Sequence, residues 1–510
     1  MTTLRPTAPA SVARPSVSAR RVIAPASVGL VGLLVTFAFS WVPSVWFDES
    51  ATISATARSW PQLVEMLGGI DAVHGVYYAG MHVWFDLVGY TPATLRLPSA
   101  AATGLAAALL LILVRKFGSE RLAILSAVLF LLLPRVTWMG GEGRSYAVQV
   151  VLAVALTLVL VSAWRRGGTS SRRARLLWWA AYAVLATLAI WTFLYLALIV
   201  AAHAVTVALS VRRDARSAGL FAAAAAVAGL ASLPLLRLAD AQSGQVSWID
   251  PLNPSTLHGV FVAQWFYRNN TFAIAGWILI AVGAALLLRR RSRYRQPGIG
   301  LAAVVLPWLV VPTAGLLLAS VLVDPLYSAR YVTFSAPAAA VLMAVAATSV
   351  RRWWMAAGIV LLCAALTVPS YIAQRAPTAK QSTAWNQVAD IITEQRAADA
   401  PDAREAVIWG PLRKHRAATS RVIEYSYPDA FAGLVDVKLA KTGAENGTLW
   451  ESAYPLEGVT DRFDGASVAW LITSDKQDWR PSVAEKLAAL GFRVEREWNV
   501  STTNIVRYVR

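Results

Sequence analysis

The sequence predicts a mainly α, polytopic membrane protein of about eleven transmembrane helices followed by a small C-terminal α/β domain. Three observations predict it. Hydrophobic residues make up 57% of the 510-residue chain and the mean hydropathy is +0.51, which is too apolar for a soluble protein of this size. Apolar runs of spanning length recur along the first three-quarters of the chain. The segments that join them alternate in charge.

The apolar runs fall near 22–42, 94–114, 120–134, 146–164, 176–190, 194–210, 217–238, 272–288, 299–322, 332–350 and 353–373. The first is read as a retained anchor, because it is long and no small-residue cleavage site follows it. Residues 1–21 then form a cytoplasmic tail, 22–373 a transmembrane domain, and 374–510 a domain on the opposite side. The single cysteine, Cys363, lies inside an apolar run and reads as a small hydrophobe.

Orientation follows from the basic residues. Of 47 Lys and Arg, 18 lie in 374–510, where 18 acids balance them. Of the others, 22 fall in alternate segments, among them "RRGGTSSRRAR" (165–175), "VRRDAR" (211–216) and "RRRSRYR" (289–295). Only seven fall in the intervening ones, and this asymmetry marks the richer side as cytoplasmic. The net charge of +18 is therefore a topology signal that lies along lipid headgroups, and no nucleic-acid partner is expected. The acids before residue 374 are distributed the other way, with Glu120 and Asp214 alone on the basic side.

The tail reads as α/β. "TAWNQVADIITEQRA" and "SVAEKLAALGF" have helical spacing, "AVIWG" and "SVAWLIT" read as buried strands, and "RVEREWNV" with "NIVRYVR" reads as a terminal hairpin. It carries no metal cluster, nucleophile motif or glycine-rich phosphate loop, and is expected to bind an acceptor or to act as a structural cap.

The outer loops hold the candidate chemistry. The first, 43–93, opens with "VWFDESATI", in which Asp48 and Glu49 follow the first span directly. It continues with "DAVHGVYYAGMHVWFDLVGY", where His74, Tyr78, His82 and Asp86 recur every four residues on an otherwise apolar, aromatic helix. Such a helix suits the membrane interface, with its aromatics at headgroup depth and its histidines on the wet side. Asp71 and His74 are candidate metal ligands or substrate contacts, with Tyr77 and Tyr78 beside them. In "PRVTWMGGEGRSYAV" (134–148), Glu142 and Arg144 form either a structural ion pair or a device in which Glu142 and Tyr146 orient the Arg144 fork toward a phosphate. "QSGQVSWIDP" (242–251) offers hydrogen-bonding groups and one aromatic platform, and "DPLYSARYV" (324–332) places Arg330 and Tyr331 at the mouth of a span.

These residues carry a resemblance. The Asp-Glu pair after the first span, the His- and Tyr-rich helix, "RLPS" (96–99), the E-x-R-x-Y of Glu142–Tyr146 and "ARY" (329–331) resemble the GT-C superfamily of glycosyltransferases. The nearest group is that of the protein O-mannosyltransferases and the lipid A aminoarabinose transferases, whose actinobacterial members are described as mannosyltransferases. The resemblance covers roughly residues 25–335. It departs from the pattern at "HGVYY", where many relatives have His-Pro-Pro, and it does not reach the tail.

The resemblance implies a sugar, mannose first and arabinofuranose second, moved from a polyprenyl-phosphate donor to a glycan, lipoglycan or protein acceptor outside the membrane. It implies Asp48 as the base, assisted by Glu49, and Arg144 or Arg330 as the phosphate ligand. It requires no certain cofactor and allows a divalent metal at the outer site. One carboxylate suffices if the reaction inverts, because a cation can stabilise the departing phosphate. Crowding of Asp48 and Glu49 is expected to raise the pKa of one of them. A transporter or flippase would bury ionisable groups at mid-membrane or break helices in matching halves, and neither pattern is visible. A non-enzymatic assembly protein would leave the clustered carboxylates and arginines unexplained.

Overall fold

The computed structural model describes residues 17–166, 171–289, 299–400, 403–413 and 415–510. Most of the N-terminal tail and parts of the basic segments 165–175 and 289–295 lie outside the described residues. Among the described residues, seven helices are long and apolar enough to cross a bilayer: Pro92–Arg115, Tyr146–Arg165, Arg172–Thr192, Asn270–Arg289, Leu301–Leu322, Ala329–Ser349 and Trp353–Ala373. Ala215–Ala231 and Leu233–Ala241 make an eighth, bent by 44°. The remaining three apolar runs become the helices Val17–Phe37, Glu120–Leu132 and Ala197–Ala208.

Local chemistry sets where these helices begin. The Thr91 hydroxyl accepts from Thr94 N at 3.0 Å and the Asp214 carboxylate from Ser217 N at 3.0 Å, each satisfying a donor that the first turn leaves open. Between spans, small residues allow close approach. A Cβ at Gly104 would lie 2.2 Å from Gly29 O, and one at Gly283 would lie 1.9 Å from Leu342 O. Backbones thus meet directly where hydrocarbon cannot drive helices together. Inside the bundle, the Tyr182 hydroxyl and the Thr157 hydroxyl hold the two ring nitrogens of His203 at 2.9 and 3.0 Å, so this buried imidazole is fully partnered.

The C-terminal part forms a five-stranded sheet in the order 435–436, 405–409, 468–474, 503–509, 493–500. Glu405–Trp409 pairs in parallel with Val468–Ser474, which pairs antiparallel with Thr503–Val509. The two hydrophobic runs of the sequence are its central strands. Its longest helices are Trp385–Arg396 and Arg480–Ala489, and the chain turns after the second at Gly491 (φ +84°).

The first outer loop does not lie free on a membrane surface. Its helices Phe47–Thr56, Trp60–Gly69 and Gly75–Val88 share one apolar core with Trp385, Trp409, Trp470 and Ile505 of the C-terminal part. Arg58 donates to the carbonyls of Gly443, Thr448 and Leu449, and Ser50 donates to Val422 O. This corrects the expected placement of the aromatic helix. Tyr77 and Tyr78 are buried inward, and His82 is buried between Arg58 O at 2.7 Å and Asp86 at 3.1 Å instead of facing water.

The contact at Gly104 yields a test. Gly104→Val should force Val17–Phe37 from its neighbour and destabilise the fold by roughly 1–3 kcal/mol, read as a lower thermal midpoint in detergent. Gly219→Val, where a Cβ would meet nothing within 4 Å, should not.

Candidate active site

Asp48 and Glu49 occupy the first turn of Phe47–Thr56, where negative charge is favoured by the helix dipole. Successive helical residues point about 100° apart, from 3.6 residues per turn. The two carboxylates therefore part company: one stays partly exposed and the other is sealed into the protein.

Glu49 is 0% exposed. Arg96 grips both its oxygens, Nε at 2.9 Å and Nη2 at 2.6 Å, while Gly143 N and Lys380 Nζ donate to it at 2.8 and 2.7 Å. Arg96 spends its other donors on the carbonyls of Ser40, Pro43 and Ser44, so all of its N–H groups are used. Lys380 also bonds Gly141 O at 2.7 Å and pairs with Glu142 at 3.0 Å. Glu142 takes its remaining bond from the Trp46 indole at 2.9 Å. One buried network thus ties the first outer loop, the second, the head of Pro92–Arg115 and the start of the tail.

The network corrects three expectations. Glu49 is fully buried, so it is not placed to contact substrate. Its carboxyl is not crowded upward: burial alone would raise it, but Arg96 and Lys380 hold it well below the usual range. The carboxyl that is pushed up, to about 7, is Glu142, by burial against the opposing pull of Lys380 and with the charge of Glu49 adding to it. Glu142 does not orient Arg144 either, because it is spent on Lys380 and Trp46.

Asp48 is the accessible member of the pair. Its side chain is 20% exposed, and Arg330 Nη1 donates to it at 2.9 Å. Arg330 lies at the head of Ala329–Ser349, packed over Trp248 at 4.9 Å and Tyr331 at 5.6 Å, and its Nε has no hydrogen-bond partner. Trp248 is the aromatic of 242–251. That loop is held by Gln242 and Gln245, whose side-chain oxygens accept from Ala72 N and Asp71 N.

Arg144 is nearby but turned inward. Nη1 donates to Asp48 O at 3.2 Å and to the Tyr78 hydroxyl at 3.0 Å, and Nη2 to His74 Nε2 at 2.8 Å. The expected open fork is thus largely occupied, by Tyr78 and His74. Tyr146 is buried against Trp138 at 5.2 Å and Tyr77 is buried beside Tyr78, so neither presents a free face. A guanidinium only donates, so His74 Nε2 accepts and the ring proton sits on Nδ1. Burial and the charges of Arg144 and Arg330 lower the His74 pKa well below its usual value, which keeps the ring neutral, and Nδ1 has no partner. Asp71, in the left-handed conformation (φ +58°), accepts from the Tyr78 hydroxyl at 2.6 Å.

Among the described residues no three His, Cys, Asp or Glu side chains gather as ligands, and Asp71 and His74 are committed to Tyr78 and Arg144. Arg96, visible in the sequence only as part of "RLPS", and Lys380 and Trp46, unmarked there, complete the site. Nothing distinguishes Lys380 among the 18 basic residues of the tail.

With this geometry in hand, comparison with solved structures places the fold. The chain has the GT-C fold. It is similar to ArnT from Cupriavidus metallidurans bound to undecaprenyl phosphate, with a TM-score of 0.57 and 16% identity, covering 96% of this chain and 98% of that one. It is also similar to the Archaeoglobus fulgidus oligosaccharyltransferase AglB in complex with an inhibitory peptide and a dolichol-phosphate. There the TM-score is 0.50 and the identity 12%, covering 94% of this chain and 74% of that one. In sequence, no family model and no curated protein matches the chain.

Two substitutions test the network. Lys380→Ala leaves two carboxylates buried side by side with one cation between them, and should cost roughly 3–5 kcal/mol. Glu142→Gln should change the pH dependence of stability. A folded pKa of about 7, above the usual 4.5, means that ionising Glu142 costs stability as pH rises through that window. Wild-type thermal midpoints should therefore fall, relative to Glu142→Gln, between pH 5 and pH 8. Parallel profiles would show that Glu142 is not strained.

Proposed function

We propose that the protein is an integral-membrane glycosyltransferase that moves a sugar from a polyprenyl-phosphate carrier to an acceptor hydroxyl on the outer face of the membrane. The observation that carries this reading is Asp48: an accessible carboxylate, held by Arg330 at the boundary between the spanning bundle and the outer layer. The GT-C fold supports it, and so does the structure of ArnT with undecaprenyl phosphate.

In the resting protein Asp48 and Arg330 neutralise each other. A donor phosphate, a stronger partner for a guanidinium, draws Arg330 away, aided by its unpartnered Nε and by the Nδ1–H of His74. Asp48 is then free to accept the proton of the acceptor hydroxyl. The acceptor oxygen forms a bond to the anomeric carbon as the bond from that carbon to the phosphate oxygen breaks, and the electron pair leaves on the lipid phosphate. Arg330 binds that phosphate more tightly as charge develops on it. Glu49 is sealed away, so no second carboxylate stands ready as a nucleophile, which favours inversion.

The reading assigns mannose as the first sugar, a cell-envelope glycan, lipoglycan or protein as acceptor, and a plasma-membrane location with the basic loops inside.

Two measurements test it. Asp48→Asn should lower turnover on the order of 10²–10⁴-fold with donor affinity retained, in purified protein in nanodiscs supplied with polyprenyl-phosphate mannose; undiminished turnover would remove Asp48 as the base. Cysteines placed in 374–510 should react with impermeant thiol reagents in intact cells, and those in 165–175 should be protected. Reversed labelling would overturn the lipid-donor argument.

A further inference from the structure

A cavity is lined by Phe47, the residue before Asp48, and nothing in the reaction above uses it. It is bounded by Phe47 on one side and by Gln381, Ser382, Trp385, Arg413 and Thr502 of the C-terminal part on the other, and encloses about 130 Å³. Phe47 and Asp48 are neighbours in the first helical turn. The cavity and the reactive carboxylate therefore flank one stretch of backbone.

The cavity wall is strained. Gln381 and Ser382 are consecutive non-glycine residues in the left-handed region, with φ +51° and +61°. Such residues cost about 1–3 kcal/mol each and persist only where the surroundings over-determine them. Here Lys380 is anchored between Glu49 and Glu142, Ser501 donates to Ser382 O at 2.6 Å, and Thr383 donates to Val45 O at 3.2 Å. Burial gives no return for the strain, because both side chains remain exposed. What the conformation achieves is to place an amide and a hydroxyl on the rim of the cavity.

The lining matches one chemistry. Gln381 offers a donor and an acceptor on one plane, and Arg413 is steadied by Asp475 at 3.3 Å. Ser382 and Thr502 add hydroxyls, and Phe47 supplies aromatic surface beside His415, on which it stacks at 3.6 Å. Leu412 is the only aliphatic wall among the described residues. Alternating polar groups around aromatic surface suit a polyhydroxylated ring with apolar C–H faces. The space suits one sugar unit better than an extended peptide or an acyl chain.

We propose that this cavity binds a saccharide unit of the acceptor, an inference that rests on the transferase reading and names the acceptor class as glycan.

The test measures binding apart from catalysis. Full-length protein in donor-free nanodiscs is titrated with methyl α-mannopyranoside, a mannotriose and methyl α-arabinofuranoside, with saturation-transfer NMR as the readout. At least one should bind. Affinity should fall about tenfold or more, about 1.4 kcal/mol, in Gln381→Ala and Arg413→Ala, and in Thr502→Trp, which fills the space without touching the strained turn. The proposal is overturned if no saccharide binds, if the three variants bind normally, or if a Ser/Thr-rich peptide occupies the cavity and displaces the sugar. If transfer proceeds with unchanged acceptor KM in the three variants, the cavity assignment falls and the transferase reading stands. If saccharide binding follows the variants while the wild type transfers nothing from polyprenyl phosphate, the cavity stands and the transferase reading falls.

Discussion

Everything at the outer face depends on one buried exchange of charge, in which Glu49 and Glu142 share Lys380 while Arg96 closes over Glu49. A carboxylate with no exposure is tolerable only when each of its lone pairs is met, and Glu49 meets that condition with Arg96, Lys380 and Gly143 N. The cost of this desolvation secures position. Arg96 fixes the end of the first span through Ser40, Pro43 and Ser44, Lys380 fixes the entry of the tail, and Gly143 fixes the second outer loop. Asp48, one residue from the centre of this knot, inherits a backbone that cannot drift.

A division of labour follows within the pair. The adjacent acids look equivalent on paper, yet helical geometry sends them in different directions and gives them different partners. Arg96 and Lys380 are spent entirely on holding structure. Arg330 keeps Nε unpaired and stands over Trp248, which is 54% exposed. Arg144 is intermediate: its hydrogen bonds to Tyr78, His74 and Asp48 O make it a brace for the Asp48 backbone.

The spans were legible because membrane insertion is a one-dimensional property: each apolar run answers to bilayer thickness, whatever it later packs against. The central strands of the tail were legible for a similar reason, since "AVIWG" and "SVAWLIT" are unbroken apolar runs. Pairings were not. The E-x-R spacing suggested a Glu142–Arg144 bond, but the chain turns between them and each finds partners far away in sequence, Lys380 and Tyr78. The His- and Tyr-bearing helix had the composition of an interfacial helix. The C-terminal part supplies an apolar surface that claims the same aromatic face, which no pattern within the loop could reveal.

The central claim is that Asp48 is restrained by Arg330 until a lipid phosphate takes Arg330 from it. The most direct measurement is an experimental structure of the protein in nanodiscs with polyprenyl phosphate bound. The account predicts the phosphate on Arg330, the 2.9 Å contact to Asp48 broken, and Glu49 still closed by Arg96 and Lys380. A phosphate bound elsewhere, with Arg330 still paired to Asp48, would contradict it.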